Sequence, residues 1–342
     1  MKKTYQTILS LCVICSLLGG GRITASELRK DDDQDIKIGV LYYKFDDVYI
    51  TSVRVAFERL VAEYDNVEQI TYNSQNQQDL QLEQIDRLIQ HQVDVLLVNI
   101  VDTEAAVLAA DMAAAANIPI IFFNREPDLL VLQQGTQAYF VGTTAAEAGV
   151  IQGHLVANLW LNNPQYDRNQ NGLLDYVMLV GDFNNPEAEA RTEYAITRVE
   201  AAGIEVNLIA QEVAYWEYEQ AYETMSQWLV DDRDNIEIVF SNNDSMAAGA
   251  IAALQEAGFN LSDPADNWIP VFGVDATEEA IDLISREIMA GTVQQDDSAM
   301  AEAIFSLAYN AAQGRDLLYQ TDYQFDDSGV AIRIPYQAFI VE

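Results

Sequence analysis

Five short stretches rich in apolar and β-branched residues, at 36–43, 67–72, 93–100, 118–123 and 138–142, read as strands. Between them the apolar positions recur at helical spacing, at 48–64, 79–90 and 103–116. Strands separated by helices of that length predict a parallel sheet with helices on both faces. A second series follows residue 142. Its helices are predicted at 145–162, 187–201, 219–230, 246–257 and 278–290, and its strands at 176–180, 206–210, 237–240 and 270–274. The pattern is that of an α/β chain with two doubly wound parallel-sheet lobes. In such sheets ligands bind beyond the carboxyl ends of the strands, and two facing lobes place the site in the cleft between them.

The residues just past those strand ends are polar and aromatic: Asp46, Asp47 and Tyr49; Asn124, Arg125 and Glu126; Asn185, Glu187 and Arg191; Trp216; Asn243 and Asp244; Asp275; Gln295. Carboxylates and amides match the donors and acceptors of hydroxyl groups, a guanidinium adds directed donors, and flat rings cover C–H faces. Such a mixture suits a neutral polyhydroxylated ligand. Singly, each residue has an ordinary explanation: Asp47, Asp244 and Asp275 could cap the helices that follow them, and Trp216 could be core. Their collective placement at strand ends favours a site.

Between the first helix and first strand of the second series lies Asp167-Arg168-Asn169-Gln170-Asn171-Gly172-Leu173-Leu174-Asp175. Side-chain oxygens stand at positions 1, 3, 5 and 9, glycine at 6, and the Leu173 carbonyl at 7, as in an EF-hand calcium loop. The twelfth position, where an EF-hand carries its bidentate glutamate, is Met178, and a strand follows where a helix would. The loop is one ligand short. A further carboxylate must come from elsewhere in the chain, or the segment is an Asx-rich turn.

Lys2 and Lys3, an apolar stretch from 8 to 18 and small residues at 24–26 have the layout of a secretory signal, expected to span 1–26. Cys12 and Cys15, the only cysteines, fall inside it, and the residues before Cys15 do not suit lipoprotein cleavage. The expected location is the periplasm, with stability left to ordinary burial. The formal charge of −36 argues against nucleic acid and anionic membrane as partners. Past the signal only Lys30, Lys37 and Lys44 remain as lysines, a bias that a salty medium favours and that an ordinary acidic exported protein also shows. The length suffices for two domains.

Several segments now bear on identity: Tyr43-Lys44-Phe45-Asp46-Asp47, Asn73-Ser74-Gln75-Asn76, Phe122-Phe123-Asn124-Arg125-Glu126-Pro127, Ile151-Gln152-Gly153, Pro186-Glu187-Ala188-Glu189-Ala190-Arg191-Thr192, Asn242-Asn243-Asp244 and Phe272-Gly273-Val274-Asp275-Ala276. They resemble the periplasmic galactose/glucose-binding proteins of ABC importers, and with the calcium loop the resemblance runs from about Ile36 to Ile340. It implies a type I periplasmic binding protein that closes as a monomer on D-galactose or D-glucose and delivers it to a membrane permease. A chemotaxis receptor could read the same closed form. The implied sugar site is Asp47, Tyr49, Asn124, Arg125, Asn185, Glu187, Arg191, Trp216, Asn243, Asp275 and Gln295, with Tyr49 and Trp216 as an aromatic sandwich. The implied calcium ligands are Asp167, Asn169, Asn171, the Leu173 carbonyl, Asp175 and the distant Glu237. Lobe one is expected at 32–143 plus 296–330 and lobe two at 144–295 plus 331–342. Three crossings near Thr143, Asp296 and Val330 would form the hinge.

The chain departs from the family's usual pattern at several of these positions. Tyr49 stands where phenylalanine is usual, Asn185 for histidine, Glu187 for aspartate, Gln295 for asparagine, and Asn171 and Asp175 for aspartate and glutamine. A displaced contact can leave a buried group unpaired at about 1–3 kcal/mol, so these changes bear on which sugar fits. Two other function classes are weaker. A glycosidase could draw paired carboxylates from Asp47, Glu187 and Asp275. A sugar-responsive transcription regulator would need a basic helix-turn-helix where this chain has its signal and Asp31-Asp32-Asp33. His91 and His154 are ordinary helix-face or helix-end residues, and Gly19-Gly20-Gly21 belongs to the signal.

Overall fold

Six of the seven residues of β1 (Ile36–Tyr42) are buried, which only the middle of a sheet covered on both faces can satisfy. The computed structural model describes residues 35–135, 137–261 and 267–340; the expected signal at 1–26, with Cys12 and Cys15, lies outside them. β1 pairs in parallel with β2 (Val67–Asn73) on one side and β3 (Val95–Val98) on the other. β4 (Ile120–Phe123), β5 (Ala138–Gly142) and a late strand, β11 (Ala331–Arg333), complete the sheet in the order β11-β5-β4-β3-β1-β2, all parallel. The crossovers are α1 (Val48–Val61), α2 (Gln78–Gln90), α3 (Ala106–Ala115) and the short α4 (Leu129–Gln133).

The second sheet repeats the scheme. β6 (Leu174–Val180) lies between β7 (Val206–Val213) and β8 (Ile238–Ser241), with β9 (Val271–Phe272) outside β8, again all parallel. Every residue of β6 is buried, and the pleat sorts them. Val177 and Leu179 join Met225 of α7 (Tyr218–Asp232) and Met246 of α8 (Asp244–Glu256). Tyr176, Met178 and Val180 join Leu155 of α5 (Ala145–Asn162) and Ala188 of α6 (Pro186–Glu200). Each large aliphatic side chain so covered stabilises the fold by about 1.5–3 kcal/mol. Helices α5 and α6 approach closely because Gly149 and Gly153 face the α6 backbone, where any β-carbon would strike Ala195.

The chain passes between the two sheets three times, within one compact unit, Gln34–Glu342. Thr143 lies between β5 and α5. Gln295 and Asp296 lie between β10 (Thr292–Gln294) and α10 (Asp297–Ala312). Helix α10 returns to the first sheet, where Phe305 packs edge-on against Phe57 of α1, 5.9 Å between ring centres. Residues 334–336 lie between β11 and β12 (Gln337–Phe339), which pairs antiparallel with β10. Single bridges, Phe272 to Gly291 and Asp275 to Gln294, attach that pair to the second sheet.

Several expectations are corrected. Residues 331–333, expected in the second lobe, hydrogen-bond to β5 in the first sheet, so the third crossing follows Arg333 and not Val330. The helix expected at 278–290 is α9 (Glu278–Ser285), which ends where Glu287 turns left-handed at φ 56°. Helix α10 adds to the helices expected from the sequence; Asp296 caps it and its apolar spacing is helical. Among the described residues no helix is long and apolar enough to cross a membrane.

Candidate functional site

Asp47, Tyr49, Asn124, Arg125, Asn185, Glu187, Arg191, Trp216, Asn243, Asp275 and Gln295 converge on one cavity of about 380 Å³, its solvent-open part included. Tyr43 and Ile50, which the sequence reading did not name as site residues, complete its wall. The first four follow β1 and β4 of the first sheet, the next six follow β6 to β9 of the second, and Gln295 follows β10 of the attached pair. The cavity therefore occupies the strand ends where parallel sheets expose ligand sites.

Local structure aims these side chains. Asp47 Oδ1 accepts the Ile50 N–H at 2.8 Å and so caps α1, while Oδ2 accepts the Tyr43 hydroxyl. Asn185 Oδ1 caps α6 through the N–H groups of Glu187 and Ala188, at 3.0 and 3.2 Å. Asn243, not Asp244, caps α8, and its amide also donates to the Trp216 carbonyl at 3.3 Å. Asp275 caps nothing either; Thr277 caps α9. Capping and lining the cavity are thus compatible at Asp47, Asn185 and Asn243, because a cap fixes the side chain at the mouth of a strand-to-helix turn. Asn124, Trp216 and Asp275 adopt positive φ, 64°, 65° and 126°. For non-glycine residues that costs of order 1–3 kcal/mol each, the kind of strain that gathers at ligand clamps.

Trp216 serves two ends. Its ring lies over Gly181, where a β-carbon would collide with it, and it packs against the cores on both faces of the second sheet while lining the cavity.

Arg191 is the electrostatic centre, with 3% of its surface exposed. Its guanidinium lies 3.4 Å from Glu187 and 3.8 Å from Asp275, and donates to the Asn242 carbonyl at 2.7 Å, Gln295 Oε1 at 3.0 Å and the Tyr336 hydroxyl at 2.9 Å. Burial works against its charge, but Tyr336, Glu187 and Asp275 together outweigh burial and keep it protonated. The carboxylates move the other way: burial raises both Glu187 and Asp275, with Arg191 opposing the rise in each. Asp244, behind Asp275, is pushed up to about 7 by burial, against hydrogen bonds from Thr292 and Thr277.

Three buried donors on this wall have no partner: Arg191 Nε, Gln295 Nε2 and Trp216 Nε1. A buried donor left unpaired costs about 1–3 kcal/mol, so a ligand that brings acceptor oxygens recovers that energy. Across the cavity, Arg125 lies 3.8 Å over the Tyr43 ring and 3.7 Å from Asp182, and Lys44 pairs with Glu217. Both ion pairs join loops of the first sheet to loops of the second.

The expected calcium residues also come together. Asp167 accepts the N–H groups of Asn171 and Gly172, and the Asn169 and Asn171 amides donate to Asp175 Oδ2 at 2.7 Å each. Glu237 reaches the loop from the start of β8: Oε1 accepts from the Arg168 N–H at 2.6 Å, and Oε2 from the Asp175 N–H at 3.1 Å. Asp175 and Glu237 are buried, 1% and 0% exposed, and no ion pair to either stands among the described residues. Burial raises Glu237, opposed by those backbone N–H groups. No set of three or more acidic, histidine or cysteine side chains among the described residues is arranged to hold a metal. The donors are nonetheless all oxygens on one turn plus one buried carboxylate, a chemistry that suits a hard cation.

Tyr336, Asn242 and Asp244 support the site from behind. Tyr336 gave no sequence signal because the segment after β11 has neither helical nor strand periodicity.

A family model described as a periplasmic binding protein domain matches residues 38–316. The D-galactose/methyl-galactoside binding periplasmic protein of Haemophilus influenzae is 35% identical over 337 residues, 98% of this chain and 96% of that one. An ABC transporter solute binding protein of Bacillus halodurans, solved with bound myo-inositol, superposes with a TM-score of 0.75 at 28% identity, covering 91% of this chain and 96% of the other. One from Actinobacillus succinogenes, solved with bound D-allose, gives 0.73 at 20% identity over 90% and 98%, a likeness of fold alone.

Proposed function

This chain belongs to the periplasmic binding protein family, and from that premise we propose that it binds one monosaccharide, D-galactose or D-glucose, in the cavity between its sheets and delivers it to an ABC importer. The observation that carries the reading is the trio of unpartnered donors on Arg191, Gln295 and Trp216 beside the buried acceptors Glu187 and Asp275. A sugar hydroxyl both accepts and donates, so a ring of hydroxyls satisfies both sets, while Tyr49 and Trp216 offer faces for its C–H groups. The Lys44–Glu217 and Arg125–Asp182 pairs hold the closed form that a permease, and a chemotaxis receptor where one exists, would read. An exported, periplasmic protein is what the family and the signal-like start together favour. The test is calorimetric titration of refolded, ligand-free protein against a monosaccharide panel with Trp216 fluorescence as a second readout. One-to-one binding of either hexose is expected. Heat only from a pentose or a cyclitol would keep the class and overturn the specificity.

Loop 167–175 is further proposed to hold a structural calcium ion through Asp167, Asn169, Asn171, the Leu173 carbonyl, Asp175 and Glu237. The support is the oxygen-only donor set and two buried carboxylates, Asp175 and Glu237, that form no ion pair among the described residues. A bound ion would neutralise Asp175 and Glu237 and fasten the loop to β8. Metal analysis of protein purified without chelator reads this directly.

A further inference from the structure

All three chain crossings meet at one buried cluster. Thr143 belongs to the first crossing, Gln295 to the second and Tyr336 to the third, and each hydrogen-bonds to Arg191 or Glu187 on the cavity wall. The Tyr336 hydroxyl is saturated when Thr143 donates to it: it then accepts from Arg191 at 2.9 Å and from Thr143 at 3.0 Å, and donates to Glu187 at 3.2 Å. The Thr143 hydroxyl has one proton and two acceptors in reach, Tyr336 at 3.0 Å and Glu187 at 3.3 Å, so it can serve only one at a time. Thr143 is fully buried and Tyr336 is 4% exposed, so water cannot replace these bonds cheaply.

We propose that Tyr336 is the positioning residue through which cavity occupancy reaches the hinge: its hydroxyl ties Arg191 and Glu187 to the Thr143 crossing, so the bonds that orient Arg191 for ligand form together with the closed crossing geometry. The reason is geometric. Residues 334–336 join a strand of the first sheet to one paired with β10, so rotation of the sheets must carry Tyr336 relative to Thr143 or to α6, which bears Arg191 and Glu187. Opening therefore breaks at least one bond of a hydroxyl with no spare capacity. A ligand oxygen on Arg191 Nε fixes the guanidinium in the orientation that keeps all three.

The inference rests on sugar binding as the function. Tyr336→Phe keeps the ring and removes only the oxygen. In the full-length protein, the expected result is about tenfold weaker binding of the hexose that the wild type binds. The sugar-induced compaction seen by small-angle scattering should also shrink, with the ligand-free melting temperature nearly unchanged. Thr143→Val should reproduce part of this loss, Thr143→Ser should restore it, and the double variant Tyr336→Phe/Thr143→Val should lose less than the two single losses combined. Wild-type affinity and compaction in Tyr336→Phe would overturn the proposal, as would losses that simply add. A lowered ligand-free melting temperature with unchanged affinity would also overturn it, since that is what a packing role gives. Absence of hexose binding in the wild type strikes the functional reading instead, which separates the two failures.

Discussion

The cleft and the loop at 167–175 are built from the same materials, carboxylates and amides on turns at strand ends, but they spend them differently. In the loop, Asp175 takes the amides of Asn169, Asn171 and Asn207, and Glu237 takes three backbone N–H groups. In the cleft, Arg191, Gln295 and Trp216 each keep a buried donor without a partner. The loop's carboxylates have their N–H donors already in place, whereas the cleft holds donors that no group of the described residues accepts. Its positive-φ residues, Asn124, Trp216 and Asp275, add backbone strain that bound ligand can repay.

The most disruptive way to probe this contrast is to take the cation from the cleft. Arg191→Met keeps the aliphatic stem but leaves Glu187 and Asp275 buried without their cation, the situation that costs about 3–5 kcal/mol. Hexose affinity should fall by two orders of magnitude or more, while chelator sensitivity of the melting temperature stays as in the wild type. Near-native affinity in calorimetry would mean that the cavity does not use its central charge.

The loop's counterpart is Glu237→Ala. Calcium at a hundredfold excess over its dissociation constant stabilises a protein that binds it only when folded by about 2.7 kcal/mol. Chelator should lower the wild-type melting temperature and hardly move the variant's, with hexose affinity the same in both. Melting curves that ignore chelator, in protein free of bound calcium by metal analysis, would reduce the loop to an Asx-rich turn. A smaller effect separates the two ends that Trp216 serves: Trp216→Ala should weaken sugar binding by about 1–3 kcal/mol. A large loss of ligand-free stability at unchanged affinity would make it a core residue.

The alternation of strand and helix made the two sheets legible, because the β6 residues need cover on both faces and the sequence shows 176–180 as an unbroken apolar run. The cleft was legible through the turns after the strands, since polar and aromatic residues there have few other reasons to cluster. What stayed hidden was non-local. Residues 331–333 pair with β5 nearly two hundred positions earlier, and no local period announces a three-residue edge strand. Tyr336 matters through bonds to Thr143, Glu187 and Arg191, which only the third crossing brings together. The family resemblance supplied Glu237 as a loop partner that spacing alone could not, and the structure places it against the Arg168, Asn169 and Asp175 N–H groups.

The finest test of the contrast is pH, because the cleft also buries an acid, Asp244, that forms no ion pair among the described residues. Asp244 lies behind Asp275, bonded to the Thr292 hydroxyl at 2.6 Å and the Thr277 N–H at 2.8 Å, and burial pushes it up to about 7. Asp275, itself raised by burial, is raised further by Asp244, with Arg191 on its far side opposing. An acid raised in the folded state binds its proton more tightly there than when unfolded. Its stabilising contribution is therefore full below the ordinary aspartate range near 4 and is lost as pH climbs to about 7. Asp244→Asn removes the titration while its amide can still donate to Thr292 and its oxygen accept from Thr277. Urea midpoints measured from pH 4 to 8 with chelator present should fall less steeply for the variant, and at pH 8 it should equal or exceed the wild type. The difference between the two curves matters more than either one, since the chain's large negative charge contributes the same background to both. Parallel curves would mean that Asp244 stays ionised throughout, its charge met by the Thr292 hydroxyl and the Thr277 N–H.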